Sequence, residues 1–145
     1  MKKATASDAK WLCRDDPVRP ELRGTFRATK HREMYYVGET EVGKVAAAIC
    51  IAFLNKIPTT VDELIHGKEG NIVIFYSVWS YKMTPRAGRD IVFKSLDMCK
   101  DRGYKRFVTM SPKTMVARRF HERNGAICIA ENEETDNFEY TLMRE

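Results

Sequence analysis

Few side chains in this sequence stand in a pattern that chemistry could use. Three histidines, His31, His66 and His121, and four cysteines, Cys13, Cys50, Cys99 and Cys128, are scattered through 145 residues. No two cysteines have C-x-x-C spacing and the histidines form no ligand pattern with them, so no metal site is expected. Cys50 and Cys128 lie inside apolar runs, and Cys99 falls on the apolar face of a predicted helix, so the thiols read as buried and free. His121 stands apart: it lies four residues after Ala117 and four before Gly125, on a helix face turned toward the sheet. It is either a working imidazole or a packing residue. Basic side chains are the other signal. Arg14, Arg19, Arg23, Arg27, Lys30 and Arg32 crowd the N-terminal part, Arg118, Arg119 and Arg123 share a later helix, and the net charge is +5. Such surfaces suit anions, either cofactor phosphates or nucleic acid, or are simply solvated faces. Tyr35 and Tyr36 lie near the first cluster, but no recognised RNA or DNA motif accompanies them.

The elements that would position these residues follow from pattern. The length is that of one domain, and 43% apolar with 31% charged residues is ordinary for a soluble globular protein. One domain over residues 1–145 is expected. No apolar run reaches the length of a membrane span, and the opening Met1-Lys2-Lys3 leads into polar sequence, so a cytoplasmic location is expected. Ser7-Asp8 reads as the cap of a short helix through Leu12, and Pro20-Glu21-Leu22 as the start of another. Glu33–Val37 reads as a strand turned by Gly38-Glu39-Thr40, Val45–Leu54 as a strand, and Thr60–Ile65 as a short helix. Asn71–Ser80, β-branched and aromatic, reads as a strand buried on both faces.

The clearest helix is Thr84–Arg102. Thr84 would cap it, Pro85 fits the first position, and Gly88, Ile91, Val92, Ser95, Leu96 and Cys99 form one stripe before Gly103 stops it. Arg106–Met110 is the next strand. Ser111-Pro112 repeats the cap-and-proline device, Val116, Ala117, Phe120 and His121 form one helix face, and Asn124-Gly125 ends it. Ala126–Ala130 and Phe138–Met143 read as strands joined by the acidic turn Glu131–Asn137. The string Ala-Ile-Cys-Ile-Ala at Ala48–Ala52 and again at Ala126–Ala130 is too short to be a repeat. The expected class is α/β (α+β): a mixed central sheet with helices on both faces.

Over Asn71–Met143, about half the chain, this order resembles the cofactor-binding half of the GNAT superfamily of acyl-CoA N-acyltransferases. In that family a Q/R-x-x-G-x-G/A loop at a helix start holds the pyrophosphate of acetyl-CoA on backbone N–H groups. Gly88 to Gly103 has the spacing from loop end to helix end, which makes the loop Met83-Thr84-Pro85-Arg86-Ala87-Gly88. Only its last position obeys the pattern, with Met83 at the first place and Arg86 at the fourth. A shifted loop, Pro85 to Asp90, would put an acid beside phosphate. Thr114 to Ala126 resembles the family's N-x-x-A-x-x-φ-Y-x-x-x-G-F segment. Ala117, Phe120 and Gly125 match it, whereas Thr114, His121 and Ala126 depart from it.

The resemblance implies an N-acetyltransferase that uses acetyl-CoA and an amine acceptor, without a metal. His121 would protonate the departing thiolate, a task an imidazole with an unperturbed pKa near 6.5 can perform as imidazolium. Val78 and Trp79, on a strand splayed from Arg106–Met110, would line the pantetheine arm. Arg86, Ala87, Gly88 and Arg89 would meet the phosphates, with Thr114 and Phe120 completing the cofactor site. Glu39 and Glu41 are candidate bases by position. The chain also resembles small GNAT-like tailed-phage proteins through Phe120–Ala126 followed by an acidic turn, which implies a non-catalytic, virion-associated binding or assembly role as the alternative.

Overall fold

The computed structural model describes residues 1–39, 44–81 and 86–141. Strands β1 (Lys2–Lys3), β2 (Arg32–Glu39), β3 (Lys44–Leu54), β4 (Ile72–Ser80), β5 (Arg106–Thr109), β6 (Ser111–Pro112), β7 (Ile127–Glu131) and β8 (Thr135–Tyr140) form one mixed sheet. Helices α1 (Ala6–Leu12), α2 (Val61–His66), α3 (Ala87–Asp101) and α4 (Met115–Arg123) complete it. From β1 to β4 every pairing is antiparallel. β4 and β5 are parallel, as expected for strands joined through a crossover helix, here α3. β8 runs antiparallel to β5 and β6 on one side and to β7 on the other.

Each face of the sheet carries its own core. On one face Ala9, Leu12 and Leu64, from α1 and α2, pack on Ala48, Cys50, Ile74, Tyr76 and Trp79. On the other, the stripe Ile91, Val92, Leu96 and Cys99 of α3 packs on Ile49, Ile51, Phe75 and Phe107. The expected class and the two-sided helix cover are as the sequence indicates. β4 is buried along most of its length, with alternate side chains feeding the two cores.

Local chemistry departs from expectation at several ends. α1 is capped by Thr5, not by Ser7-Asp8: the Asp8 N–H donates to Thr5 Oγ1 (3.0 Å) and the Thr5 N–H to Asp8 Oδ2 (3.1 Å). The two thus form a capping box in which Asp8 is the third helical residue, so one pair satisfies two otherwise free donors. No helix opens at Pro20; the segment instead forms a 3-10 turn at Gly24–Ala28 that buries Arg27. β2 continues through Gly38 to Glu39, shifting register at Val37/Gly38 where Gly38 takes φ +117. α3 begins at Ala87 with Arg86 as a cap that supplies no side-chain bond. The expected cap Thr84, with Met83 and Pro85, lies outside the described residues, as do Thr40, Glu41, Leu142 and Met143. Gly103 and Gly125 end α3 and α4 with φ of +97 and +95, the conformation in which glycine is favoured.

Ser111-Pro112 does not cap α4. It forms a short strand against Thr135 and Asp136, and the acidic turn shortens because β8 starts at Thr135. Thr114 is the cap, its Oγ1 accepting from the Ala117 N–H at 3.1 Å. Thr114→Ala should lower stability by about 1 kcal/mol, the usual cost of losing such a cap, and thermal melting of the two proteins measures it.

Candidate active site

The site begins with a defect in β4. Cys50 pairs with Ser77 and Ile51 with Phe75, so Tyr76 is an extra residue with no partner in the register. Such a bulge bends its strand and increases its twist. It falls where parallel pairing with β5 runs out: the last pair is Phe75 with Thr109, followed by the Met110 N–H donating to the Phe75 carbonyl at 3.0 Å. Past that point the chain turns through Met110 into β6, which pairs with β8, while Ser77–Ser80 pair with β3 alone among the described strands. The expected splay of these two strands is present.

Backbone register decides what faces the opening. The Tyr81 N–H donates to the Ala46 carbonyl at 3.0 Å. Bonded and non-bonded pairs alternate in an antiparallel ladder, so Trp79 turns its peptide groups to β3, while those of Val78 and Ser80 face the gap. Val78 therefore turns its peptide groups into the gap. Trp79 instead offers a buried side chain.

A cavity of about 420 Å³ occupies the gap. Val78, Trp79 and Ser80 line one side, and Met110, Ser111 and Pro112 the other. Gly88, Thr114, Phe120 and His121 close it from the α3 and α4 side, and Pro17 and Val18 from the N-terminal segment. A side chain at Gly88 would meet Phe120 and Ser80 at 3.6 and 3.7 Å, ordinary contact, so glycine here leaves space without being sterically required. At the α3 start the Asp90 N–H donates to the Arg86 carbonyl at 3.0 Å, and the N–H groups of Ala87, Gly88 and Arg89 before it have no partner inside the helix, as in the first turn of any α-helix. Arg86 is exposed there. Arg89 lies over the Phe93 ring at 4.8 Å and reaches Asp90 at 3.9 Å. Glu39 ends β2, its side chain outside the described set.

His121 is 7% exposed, its ring edge-on to Phe120 (5.1 Å), tilted on Phe138 (5.5 Å), and with Nδ1 2.8 Å from the Tyr140 hydroxyl. Burial lowers its pKa to about 4. The imidazolium form, in which the resemblance would have His121 act, is therefore disfavoured at neutral pH. It does sit in the cavity wall with Gly88, Thr114 and Phe120, as the sequence spacing requires.

Sequence reasoning missed the cavity's outer wall. Asp16, buried, accepts from the Val18 N–H (2.7 Å), the Arg19 N–H (3.1 Å), the Ser77 hydroxyl (2.7 Å) and the Arg27 guanidinium (2.5 Å). Arg19 in turn donates to the Met110 carbonyl at 2.8 Å. Arg32 donates to the Leu64 and Ile65 carbonyls. Arg19, Arg27 and Arg32 are thus buried, so half of the N-terminal basic cluster is drawn inside and only Arg14, Arg23 and Lys30 remain exposed. Among the described residues no group of three or more His, Cys, Asp and Glu side chains could hold a metal ion, and no helix is long and apolar enough to cross a membrane.

No protein-family model matches the chain and no curated protein matches it. Solved structures do. A Bacillus subtilis acetyltransferase in complex with CoA superposes with a TM-score of 0.65 at 9% identity, covering 98% of this chain and 97% of that one. A Desulfovibrio desulfuricans structure assigned to the GNAT family gives 0.58 at 11% identity, covering 77% and 69%. The fold is the GNAT acetyltransferase fold. A Thermoplasma acidophilum PaiA N-acetyltransferase in complex with coenzyme A also shares it, with a TM-score of 0.55 at 10% identity, over 74% of this chain and 60% of that one. Identity this low carries the GNAT fold and no more, so what the cavity binds must be argued from its own groups.

Proposed function

We propose that the chain is an N-acetyltransferase that moves an acetyl group from acetyl-CoA to an amine. The observation that carries this reading is the splay of β4 from β5 beyond Phe75, with peptide groups of Val78 and Ser80 turned into an apolar-walled cavity. An extended amide-bearing arm satisfies such groups as a missing strand would. The N–H groups of Ala87, Gly88 and Arg89 in the first turn of α3, unpaired within the helix, with the exposed Arg86 beside them, suit a pyrophosphate. CoA bound in two structures of this fold supports the same reading. Thr114 and Phe120 complete the wall opposite Ser80.

Acetyl-CoA, when bound, supplies the thioester: the amine nitrogen bonds to its carbonyl carbon, the C–S bond breaks, and the nitrogen's proton ends on the CoA sulfur. The chain's own residues would bind and orient. Trp79, Met110 and Phe120 give the gap apolar walls, and His121 stands in the same wall as Phe120.

Calorimetry and thermal shift with acetyl-CoA test the reading. Ligand at one hundred times its dissociation constant should stabilise the fold by about 2.7 kcal/mol. Arg86→Glu should weaken binding by about tenfold or more, since it replaces an attractive charge with a repulsive one. No heat and no shift at millimolar acetyl-CoA would refute the assignment and favour the binding or assembly role.

A further inference from the structure

We propose that Tyr140 and Asn124 are positioning residues that lock His121 in its Nε2–H tautomer and so present a fixed hydrogen-bond donor to the cavity. The assignment of tautomer stands on the hydrogen bonds alone; the use made of the donor rests on the acetyltransferase reading.

Asn124 Nδ2 has only donors to offer, and it lies 3.4 Å from the Tyr140 oxygen. Tyr140 therefore accepts there, which leaves its single O–H for the 2.8 Å contact with His121 Nδ1. Nδ1 is then an acceptor, and a neutral imidazole must carry its hydrogen on Nε2. The opposite arrangement would have Tyr140 accept from both Asn124 and His121. Its own hydrogen would then have no acceptor in a site that is 3% exposed, a cost that buried polar groups avoid. Nε2 makes no hydrogen bond to a described residue, and the ring lines the cavity. Asn124 is fixed in turn, because it caps the end of α4 through its N–H to the Phe120 carbonyl at 3.2 Å.

The surroundings keep the ring uncharged. From β8 it meets Tyr140 and Phe138, and from its own helix Phe120. The Arg118 guanidinium lies over the Phe138 ring at 5.4 Å, and Phe93 of α3 packs edge-on against Tyr140 at 6.3 Å. Among the described residues no carboxylate stabilises an imidazolium, and burial is the cause of the lowered pKa. A neutral ring cannot give up its Nε2 proton without becoming imidazolate. It serves instead as a donor to the departing sulfur, which takes its proton from the attacking nitrogen. Proton and electron pair are then accounted for without a charged histidine.

The test needs no substrate. Long-range proton–nitrogen correlation of the full chain, labelled at histidine with nitrogen-15, should show a bare Nδ1 and a protonated Nε2 for His121 from pH 5 to 9. Hydrogen on Nδ1, or an imidazolium at pH 7, would overturn the proposal. Asn124→Asp supplies an acceptor for the Tyr140 O–H, so the relay reverses and the hydrogen should move to Nδ1. An unchanged tautomer in Asn124→Asp and in Tyr140→Phe would also overturn it. A second arm measures turnover with acetyl-CoA and a panel of primary amines. Tyr140→Phe should lower kcat about tenfold, one ordinary hydrogen bond, with the KM for acetyl-CoA unchanged. If the wild type turns over no amine while the nitrogen spectra match, the enzyme reading fails and the relay stands; if turnover is present and the variant matches wild type, the positioning role fails alone.

Discussion

Arg27→Met should lower the stability of the fold by about 3–5 kcal/mol, the cost of stranding a buried charge by removing its partner. Neither the Arg27 nor the Asp16 side chain has any exposure to solvent. The guanidinium also donates to the Leu22 carbonyl at 2.7 Å and the Arg19 carbonyl at 2.6 Å, so one side chain closes the whole N-terminal segment onto the sheet. Methionine fills most of the volume but leaves the Asp16 carboxylate without its cation. Urea unfolding followed by tryptophan fluorescence measures the loss. Arg27→Met combined with Asp16→Leu should recover part of it, because an unpaired charge is worse than an apolar pair. A loss under 1 kcal/mol for Arg27→Met alone would show that water reaches the pair. The same change should loosen the cavity, since Pro17 and Val18 hang from Asp16 through the Val18 N–H.

Acid should destabilise this protein partly through one imidazole. The pKa of folded His121 is lowered by burial from 6.5 to about 4. Above pH 6.5 neither state binds a proton there and the stability is full. As the pH falls below 6.5 the unfolded chain takes up a proton that the folded chain refuses, so stability drops until pH passes about 4. The contribution lost over this window is about 3 kcal/mol. His121→Phe should be less stable at pH 7, where it leaves the Tyr140 hydroxyl without its acceptor, yet lose less than wild type between pH 7 and 4. Carboxylates titrate in both proteins, so the difference between the two pH profiles isolates His121. Parallel profiles would mean that water reaches the ring. Any turnover that depends on His121 should show no titration of this ring at neutral pH, which lies well above its lowered pKa.

How much was legible in the sequence is shown best by one string read twice. Ala-Ile-Cys-Ile-Ala at Ala48–Ala52 is wholly buried in the central β3. The same string at Ala126–Ala130 leads into the edge strand β7, where Ile127 and Ile129 are 61% and 43% exposed. Composition identifies a strand in both places, but burial is decided by the neighbours each strand meets. The α3 stripe was legible because a helical period is a local property. Gly88, Thr114, Phe120 and His121 were legible as companions, since two helix starts and one helix face bring them together. Tyr140 and Asn124 were not, because the bond that joins them to His121 crosses from α4 to β8. Nor did anything local separate Arg27, buried, from Arg23, exposed. The partner that draws Arg27 inward, Asp16, lies eleven residues away across a turn.

The short seam between β4 and β5 bears on how the chain reaches its fold. One half of the sheet, β1 to β4, is built from antiparallel neighbours and the other from β5 to β8, and four parallel residue pairs join them, Ile72–Phe75 with Arg106–Thr109. Those pairs form only after α3 has closed the chain between them, and contacts that require such closure are entropically the slowest to reward. The second half holds the β7–β8 hairpin, whose closure is local. The seam is thus among the less local contacts of the sheet, and a chain in which it is still open would expose the unpaired rims of β4 and β5.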